Sequence, residues 1–192
     1  MFCAVRPSAS FIARFLDQSR DLPLTYGPVG LAHGTAAGYD IDETVEVIGH
    51  GREDFHRARA ALARWTHFDL GWVELFPCAA PSRTGTVVAV LIRHLGFWSL
   101  NGARVVYELE ASETRFGFAY GTLPNHAERG EEIFEVALDA NSGQVTYRLR
   151  AASRPRAALA RLGYPLARVL QARFRRDSAG VMRRGARDEG WT

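Results

Sequence analysis

The fold follows from one stretch of this 192-residue sequence, Phe116-Gly-Phe-Ala-Tyr-Gly-Thr-Leu-Pro-Asn-His-Ala-Glu-Arg-Gly-Glu-Glu-Ile-Phe134. Its first part alternates large and small side chains, which is typical of a β-strand because successive strand side chains point to opposite faces. A loop with glycine, proline and asparagine follows, and a second apolar segment comes after it. The stretch therefore predicts two neighbouring strands of an antiparallel sheet.

Comparable short segments, each bounded by turn residues, recur along the chain. They predict strands at Thr44–Ile48, Gly71–Phe76, Thr86–Arg93, Ala103–Leu109, Thr114–Gly121, Glu131–Leu138 and Gln144–Ala151. Strands that follow one another through short turns pair antiparallel. We therefore expect a single sheet of about seven strands.

Apolar residues at helical spacing predict three helices. The first two cover Ser10–Arg20, with Ser10 as the N-cap, and Glu53–Trp65. The third begins at Ser153, with Pro155 in its first turn, where a missing N–H is tolerated. Its apolar stripe consists of Leu159, Leu162, Leu166, Val169, Leu170 and Phe174, and we expect a kink near Gly163 and Pro165.

This order of elements indicates an α+β fold in which a curved antiparallel sheet grips a long C-terminal helix, as in START-like helix-grip proteins. An open α+β sandwich is the alternative. We expect a single domain over residues 1–192. Within it we assign an N-terminal helix and Gly/Pro-rich loop to 1–43, the helix-grip core to 44–177 and a basic tail to 178–192.

Composition excludes several classes of protein. The chain is 47% hydrophobic and 23% charged, typical of a globular protein rather than a disordered one. No apolar run approaches the roughly 18 residues that span a bilayer. The two cysteines, Cys3 and Cys78, lack the spacing of a metal site or a disulfide framework. We therefore expect a cytoplasmic protein with no bound metal and no cofactor.

All the basic residues are arginines, and many lie between Arg148 and Arg187. The simplest interpretation is a solvated helix face followed by a basic tail. The alternative is an anionic partner, although nucleic acid is not favoured because the arginines lack interleaved aromatic residues. The net charge of +3 is too small to decide between these two interpretations.

Several segments, in order, resemble uncharacterised protein family 0548, a family of unknown function found in bacteria and plants. They are Tyr26-Gly-Pro-Val-Gly30, Gly49-His-Gly51 with Phe55 and Ala58, Trp65 with Gly71-Trp72, Phe116–Pro124 with His126, Gly130-Glu-Glu132 with Phe134, and Ser153-Arg-Pro155. The resemblance covers most of the chain from Tyr26 onward. It implies no activity, but it supports the helix-grip expectation.

The loop after Gly121 contains the candidate catalytic residues His126, Glu128 and Glu131. Histidine titrates near neutrality, and a nearby carboxylate can orient it for general acid or base catalysis. The spacing His-x-Glu-x-x-Glu matches no strong zinc motif. The alternative is structural: the glutamates pair with arginines and His126 occupies a turn.

The small side chains of Gly117 and Ala119 share one face of their predicted strand. Either a ligand lies against that face or another part of the chain packs closely there. The candidate ligand-binding residues are Tyr26, Trp72, Gly117, Ala119, Tyr120, Thr122, Glu132 and Arg154. We expect an apolar or amphipathic small molecule between sheet and C-terminal helix. The alternatives are an enzyme in the same pocket, based on His126, or an interaction module based on the C-terminal arginines.

Overall fold

The structure is a computed structural model that describes residues 1–155 and 164–187. Its strands and helices, in chain order, are β1 (Phe2–Cys3), α1 (Ala9–Ser19), β2 (Asp40–His50), α2 (Gly51–Ala63), β3 (Val73–Phe76), β4 (Val87–Arg93), β5 (Trp98–Glu108), β6 (Arg115–Thr122), β7 (Glu128–Leu138), β8 (Gln144–Pro155) and α3 (Tyr164–Arg187). Short 3₁₀ turns occur at Leu31–His33 and Thr66–Phe68.

The strands form one curled antiparallel sheet in the order β2-β8-β7-β6-β5-β4-β3, and the short β1 pairs with β5. Each consecutive pair from β3 to β8 is a hairpin neighbour, as expected from the short turns between them. Strand β2 instead joins the last strand, from Asp40 opposite Ser153 to His50 opposite Gln144. Helices α2 and α3 pack on the concave face, so the predicted helix-grip arrangement is confirmed.

The predicted start of the last helix at Ser153 is wrong, because β8 continues to Pro155. Ser153 lies opposite Gly130 of β7 and Asp40 of β2, so this segment has a strand on each side. Proline is tolerated at such a strand end. Pairing with two strands therefore outweighs the local helix signals. Leu159, Leu162 and Gly163 lie outside the described residues.

Helix α3 continues to Arg187, so the predicted basic tail from residue 178 is also wrong in its first part. Ala179, Met182 and Ala186 recur at helical spacing, are buried and belong to the core. Val169, which we placed in the apolar stripe, is 63% exposed. The fully buried face of α3 is therefore formed by residues closer to its C-terminus than the stripe that the sequence predicted.

Both faces of the sheet are covered. The concave core includes residues of the helices and of the sheet, among them Phe55 and Leu62 of α2, Phe118 of β6 and Phe134 of β7. On the outer face, α1 packs on β4 and β5 through Ile12 and Phe15. The N-cap of α1 is Ser8 rather than Ser10. The Gly/Pro-rich segment after α1 covers the outer face over β6, β7 and β8 through a small cluster that includes Ala32, Leu109, Ala119, Ile133 and Ala152.

Candidate functional site

Aromatic side chains fill the concave interior of the described structure. The ring centroids of Trp65 and Phe118 are 4.6 Å apart, and those of Phe68 and Phe134 are 5.6 Å apart. Phe174 reaches down from α3 to Phe68, at 5.2 Å. Such a dense arrangement buries a large apolar area and fixes the distance between sheet and helices.

His67 lies inside this aromatic core. The side chain is fully buried, its ring centroid is 4.5 Å from that of Phe134, and neither ring nitrogen has a hydrogen-bond partner among the described residues. Burial lowers the pKa of His67 to about 3, so the ring is neutral at neutral pH. Its N–H is an unpaired buried donor, which is uncommon in folded proteins.

The local chain explains how His67 enters the core. Trp65 precedes the 3₁₀ turn in a left-handed conformation, with φ of 62°, and its indole N–H donates to the Ala80 carbonyl at 2.9 Å. This bond ties the residue before the turn to the loop between β3 and β4. His67 was not among the residues predicted from the sequence, in which its position between Trp65 and Phe68 was the only sign that it is buried.

A partly buried acid–hydroxyl pair lies on the same concave face. Tyr120 and Glu132 are opposite each other on β6 and β7, and the tyrosine hydroxyl donates to the Glu132 carboxylate at 2.7 Å. Burial raises the pKa of Glu132 to about 7, although the Tyr120 bond opposes this change. Burial also raises the pKa of Tyr120 well above its ordinary value. Glu132 can therefore hold or release a proton near neutral pH.

Polar side chains from β2, β7, β8 and α3 surround this pair under the first half of α3. Together with the pair they form what we call the α3 polar cluster, which consists of Asp42, Tyr120, Glu128, Glu132, Ser153, Arg168, Gln171 and Arg175. Gln171 donates to the Glu128 carboxylate and lies 3.5 Å from the Ser153 hydroxyl. Burial raises the pKa of Glu128, and the charge of Glu128 in turn contributes to the raised pKa of Glu132.

Charge within this cluster is not balanced. Arg168 forms a bidentate pair with Asp42, and Arg175 lies 3.5 Å from the same carboxylate. The Arg168 bond lowers the pKa of Asp42. Glu128 and Glu132 bond only uncharged groups in the described part of the chain. Among the described residues, the three carboxylates of the cluster thus face two guanidinium groups, one positive charge fewer than the negative charges when all three are ionised.

His126 lies in the turn between β6 and β7. Its backbone N–H donates to the Leu123 carbonyl at 2.9 Å, and its Nδ1 accepts from the backbone N–H of Glu128 at 3.0 Å. The bond between His126 and Glu128 therefore uses the backbone of Glu128, whose carboxylate bonds Gln171 instead. This arrangement agrees with the structural alternative for His126.

Glu131 points to the outer face, away from the α3 polar cluster. Its carboxylate accepts from the Tyr26 and Tyr107 hydroxyls, each at 2.7 Å, and from the backbone N–H groups of Gly30 and Ala32 at 2.9 and 3.1 Å. Four donors occupy the roughly four lone-pair positions of a carboxylate. Glu131 therefore fastens the Gly/Pro-rich segment to the sheet and has no free acceptor for a substrate.

The structure divides the predicted ligand-binding residues between the two faces. Tyr26, Gly117, Ala119 and Arg154 lie on the outer face. A Cβ at Gly117 would meet the Phe134 carbonyl and Leu109, and one at Gly121 would overlap the Tyr26 hydroxyl. The small face of β6 thus packs closely against the chain itself, which was the alternative to a ligand.

The remaining predicted residues lie elsewhere. Tyr120 and Glu132 belong to the α3 polar cluster. Trp72 lies under the second half of α3, where its indole N–H donates to Asp177 at 3.1 Å and Arg173 stacks on its ring at 4.4 Å. Thr122 closes the β6–β7 hairpin, because its hydroxyl accepts from the Gly130 N–H at 2.9 Å.

Residues 1–155 and 164–187 contain neither a metal site nor a membrane-spanning helix. No group of three or more His, Cys, Asp or Glu side chains there is arranged to hold a metal ion. None of the helices in those ranges is both long and apolar enough to cross a membrane.

The fold is similar to that of solved helix-grip structures. The crystal structure of the ZhuI aromatase/cyclase from Streptomyces sp. R1128 superposes with a TM-score of 0.52, over 78% of this chain and 94% of that chain. Sequence identity is 11%, so this likeness concerns the fold alone.

Sequence relatives span nearly the whole chain. A UPF0548 protein from Dictyostelium discoideum is 33% identical over 95% of this chain and 94% of its own length. A UPF0548 protein from Deinococcus radiodurans is 34% identical over 97% of this chain and 99% of its own length. The family model for the domain of unknown function DUF1990 matches residues 25–181. The chain therefore belongs to the uncharacterised UPF0548 family and contains the domain of unknown function DUF1990.

Proposed function

We propose that this chain is a cytoplasmic protein that binds an amphipathic small molecule between the concave face and the first half of α3. The polar group of the ligand contacts Glu128, Glu132 and Tyr120, and its apolar part packs beside Leu170 and Phe174. The single observation that carries the proposal is the partly buried Tyr120–Glu132 pair, in which a carboxylate with a raised pKa lies under a helix and forms no salt bridge among the described residues, although the charge of Arg175 acts on it.

The charge deficit of the cluster indicates the ligand's polar group. A buried carboxylate is stable when it is protonated or when a cation lies beside it. In the described structure Glu132 bonds only a hydroxyl, so a proton takes the place of that cation near neutral pH. A ligand with an ammonium group would supply the positive charge. An amphipathic amine is therefore the class that the cluster favours.

The apolar part of the ligand requires movement of α3, because aromatic rings already fill the interior. Leu170 and Phe174 are only partly buried and pack against the edge of the core. Both lie on α3 close to Gln171, which bonds Glu128. Displacing these two side chains opens space beside the cluster without disturbing Met182 and Ala186 at the other end of the helix.

A proton-transfer enzyme in the same place is the second candidate, and one observation favours it. A carboxyl group with a pKa of about 7 is suited to general acid and base catalysis at neutral pH. In this version Glu132 transfers the proton and Tyr120 orients the carboxylate. His126, our first candidate from the sequence, lies in the turn after β6 and has a backbone bond to Glu128.

The arginines of α3 give less support to an anionic partner. Arg168 and Arg175 pair with Asp42, and Arg183 pairs with Glu46. Arg173 and Arg176 both bond Asp177. Acidic residues thus neutralise much of the positive charge that the sequence concentrates in this region.

Native mass spectrometry of the protein purified from its own host tests the proposal. We expect an additional mass that is released on denaturation and belongs to an apolar molecule with a basic nitrogen. A Glu132→Gln variant purified in the same way should lose the additional mass while keeping its fold by circular dichroism. A ligand retained equally by both proteins would contradict the role of Glu132. If the wild-type protein showed only the mass of the chain, the proposal that it carries a bound small molecule would be contradicted.

A further inference from the structure

Two arginines face each other on the outer side of the sheet, where the proposed ligand site does not reach. Arg129 of β7 and Arg154 of β8 are directly opposite in the antiparallel pair. Alternate residues of a strand share a face, so Arg129 lies on the same side as Glu131. Directly opposite side chains have Cβ atoms roughly 4.5–5.5 Å apart, and like charges in this position destabilise a sheet.

No carboxylate neutralises either arginine within residues 1–155 and 164–187. Other arginines on the strands of this face do have acidic partners, since Arg115 pairs with Glu135 and Arg150 with Glu43. Glu131, two residues after Arg129, already accepts four hydrogen bonds from other groups. The facing pair therefore carries two positive charges that the described part of the chain leaves uncompensated.

The Arg154 guanidinium is held in place by the segment that precedes β2. It stacks on the Tyr39 ring at 4.7 Å from the ring centroid, and its Nη1 lies 3.7 Å from the position of a Cβ at Gly38. Stacking on an aromatic face is a preferred geometry for arginine and leaves the edge of the guanidinium free to donate hydrogen bonds. The contact with Tyr39 therefore orients Arg154 without using its donors.

Arg129 contributes a donor that lacks an acceptor. Its Nε is buried and has no hydrogen-bond partner among the described residues. A buried donor without an acceptor costs free energy, and such groups are uncommon in folded proteins. An anion placed between the two arginines would accept from this donor and would remove the repulsion between the guanidinium groups.

We propose that Arg129 and Arg154 together bind a phosphate group on the outer face of the sheet. A phosphate monoester carries roughly 1.5 to 2 negative charges at pH 7, which matches two guanidinium groups, whereas a carboxylate brings one. The planar guanidinium also donates two parallel hydrogen bonds to phosphate oxygens. This site is separate from the proposed amine site, because Glu132 lies on the opposite face.

Titration calorimetry at constant ionic strength, with sodium chloride as the balancing salt, tests the proposal. The two probes are inorganic phosphate and glycerol 3-phosphate, and we expect at least one to bind the wild-type protein with a Kd of about 1 mM or tighter. Tighter binding of inorganic phosphate identifies the free ion as the ligand. Binding of glycerol 3-phosphate at least as tightly identifies the phosphate group of an ester.

Three variants show whether the two arginines form the site. Arg129→Gln and Arg154→Gln should each weaken binding about tenfold or more, as expected for a lost charged contact. Arg59→Gln is the matched control, because Arg59 also stacks on an aromatic ring, that of Phe116 at 5.3 Å, and forms no ion pair among the described residues. It should bind phosphate as the wild-type protein does.

Circular dichroism checks that each variant is folded, and Arg154→Gln, at a partly exposed position, tests the same site if Arg129→Gln does not fold. Binding of neither probe to the wild-type protein would overturn the proposal. So would unchanged binding in a folded Arg129→Gln or Arg154→Gln protein, or an equal loss in Arg59→Gln.

Discussion

Glu131 and Glu132 are neighbours in β7, and their carboxylates lie on opposite faces of the sheet in opposite chemical surroundings. Glu131 accepts four hydrogen bonds and fastens the outer segment. Glu132 accepts one from Tyr120 under α3, and its pKa is raised to about 7 by burial. One of these adjacent acids therefore holds the fold together, and the other makes a titratable site.

The first prediction concerns pH and Glu132. Its folded pKa of about 7 lies above the ordinary value of 4.5, so the folded state binds the proton more tightly than the unfolded state. The contribution of Glu132 to stability is therefore greatest at low pH and falls as pH rises from 4.5 to 7, by roughly 3 kcal/mol at most for this shift. Glu132→Gln should remove this part of the pH dependence. Urea unfolding at several pH values measures it, and an unchanged slope would contradict the assignment.

Tyr120 gives a second test of the same pair. Its hydroxyl stabilises the ionised form of Glu132, so Tyr120→Phe should raise the Glu132 pKa further above about 7. Carboxyl chemical shifts in a pH titration by NMR report this pKa. Tyr107→Phe is the control, because its hydroxyl bonds Glu131 on the other face. Equal effects of the two variants on Glu132 would rule out a specific Tyr120–Glu132 bond.

Glu131→Gln should destabilise the protein strongly. The amide keeps one acceptor oxygen and turns its NH₂ group toward one tyrosine hydroxyl, which can rotate to accept, and toward one backbone N–H, which loses its partner. This loss and that of the carboxylate charge, to which the remaining donors bond, cost roughly 3 kcal/mol. Tyr26→Phe removes only one of the four donors and should cost about 1 kcal/mol. Chemical unfolding of both variants checks the order. Similar losses for the two would show that Glu131 is not the shared anchor.

His67→Phe should stabilise the protein by about 1 kcal/mol at neutral pH, because it removes an unpaired buried polar group from an aromatic core. The folded pKa of about 3 lies below the ordinary 6.5, so the wild-type stability is lost as pH falls from 6.5 toward 3. The variant should lack this acid sensitivity. The exposed His56→Phe is the control, and a destabilised His67→Phe would indicate a partner for the ring.

The end of α3 provides a direct test of the corrected helix. Met182 is fully buried, and Met182→Ala should cost about 3 kcal/mol because it leaves a cavity in the core. Val169→Ala, at a position 63% exposed on the same helix, should change stability by less than about 0.5 kcal/mol. Equal, small effects would mean that residues from 178 onward behave as the tail that the sequence suggested.

The sheet could be predicted from the sequence because alternation is a local pattern. It placed Tyr120 and Phe118 on one face of β6 and Gly117 and Ala119 on the other, as observed. The helix boundary at Ser153 could not be predicted, since capping signals are also local, whereas the observed strand depends on pairing with both β2 and β7.

The candidate site was predicted only in part for a similar reason. The sequence indicated that Tyr120, Glu128 and Glu132 carry chemistry, but it grouped them with Glu131 and Tyr26, which the sheet places on its other side. Asp42, Arg168 and Gln171 join the cluster only when β2 and α3 meet. The arginines of α3 resembled a basic surface partly because Asp42 and Glu46, which pair with Arg168, Arg175 and Arg183, are far away in sequence.

The most direct test of the proposed site is titration calorimetry at neutral pH with octylamine and octanoate, which have apolar chains of similar length and carry opposite charges. We predict that the wild-type protein binds octylamine and not octanoate, and that Glu132→Gln weakens octylamine binding about tenfold or more, as expected for a lost charged contact. Preferential binding of octanoate, or octylamine binding that is unchanged in Glu132→Gln, would contradict the account.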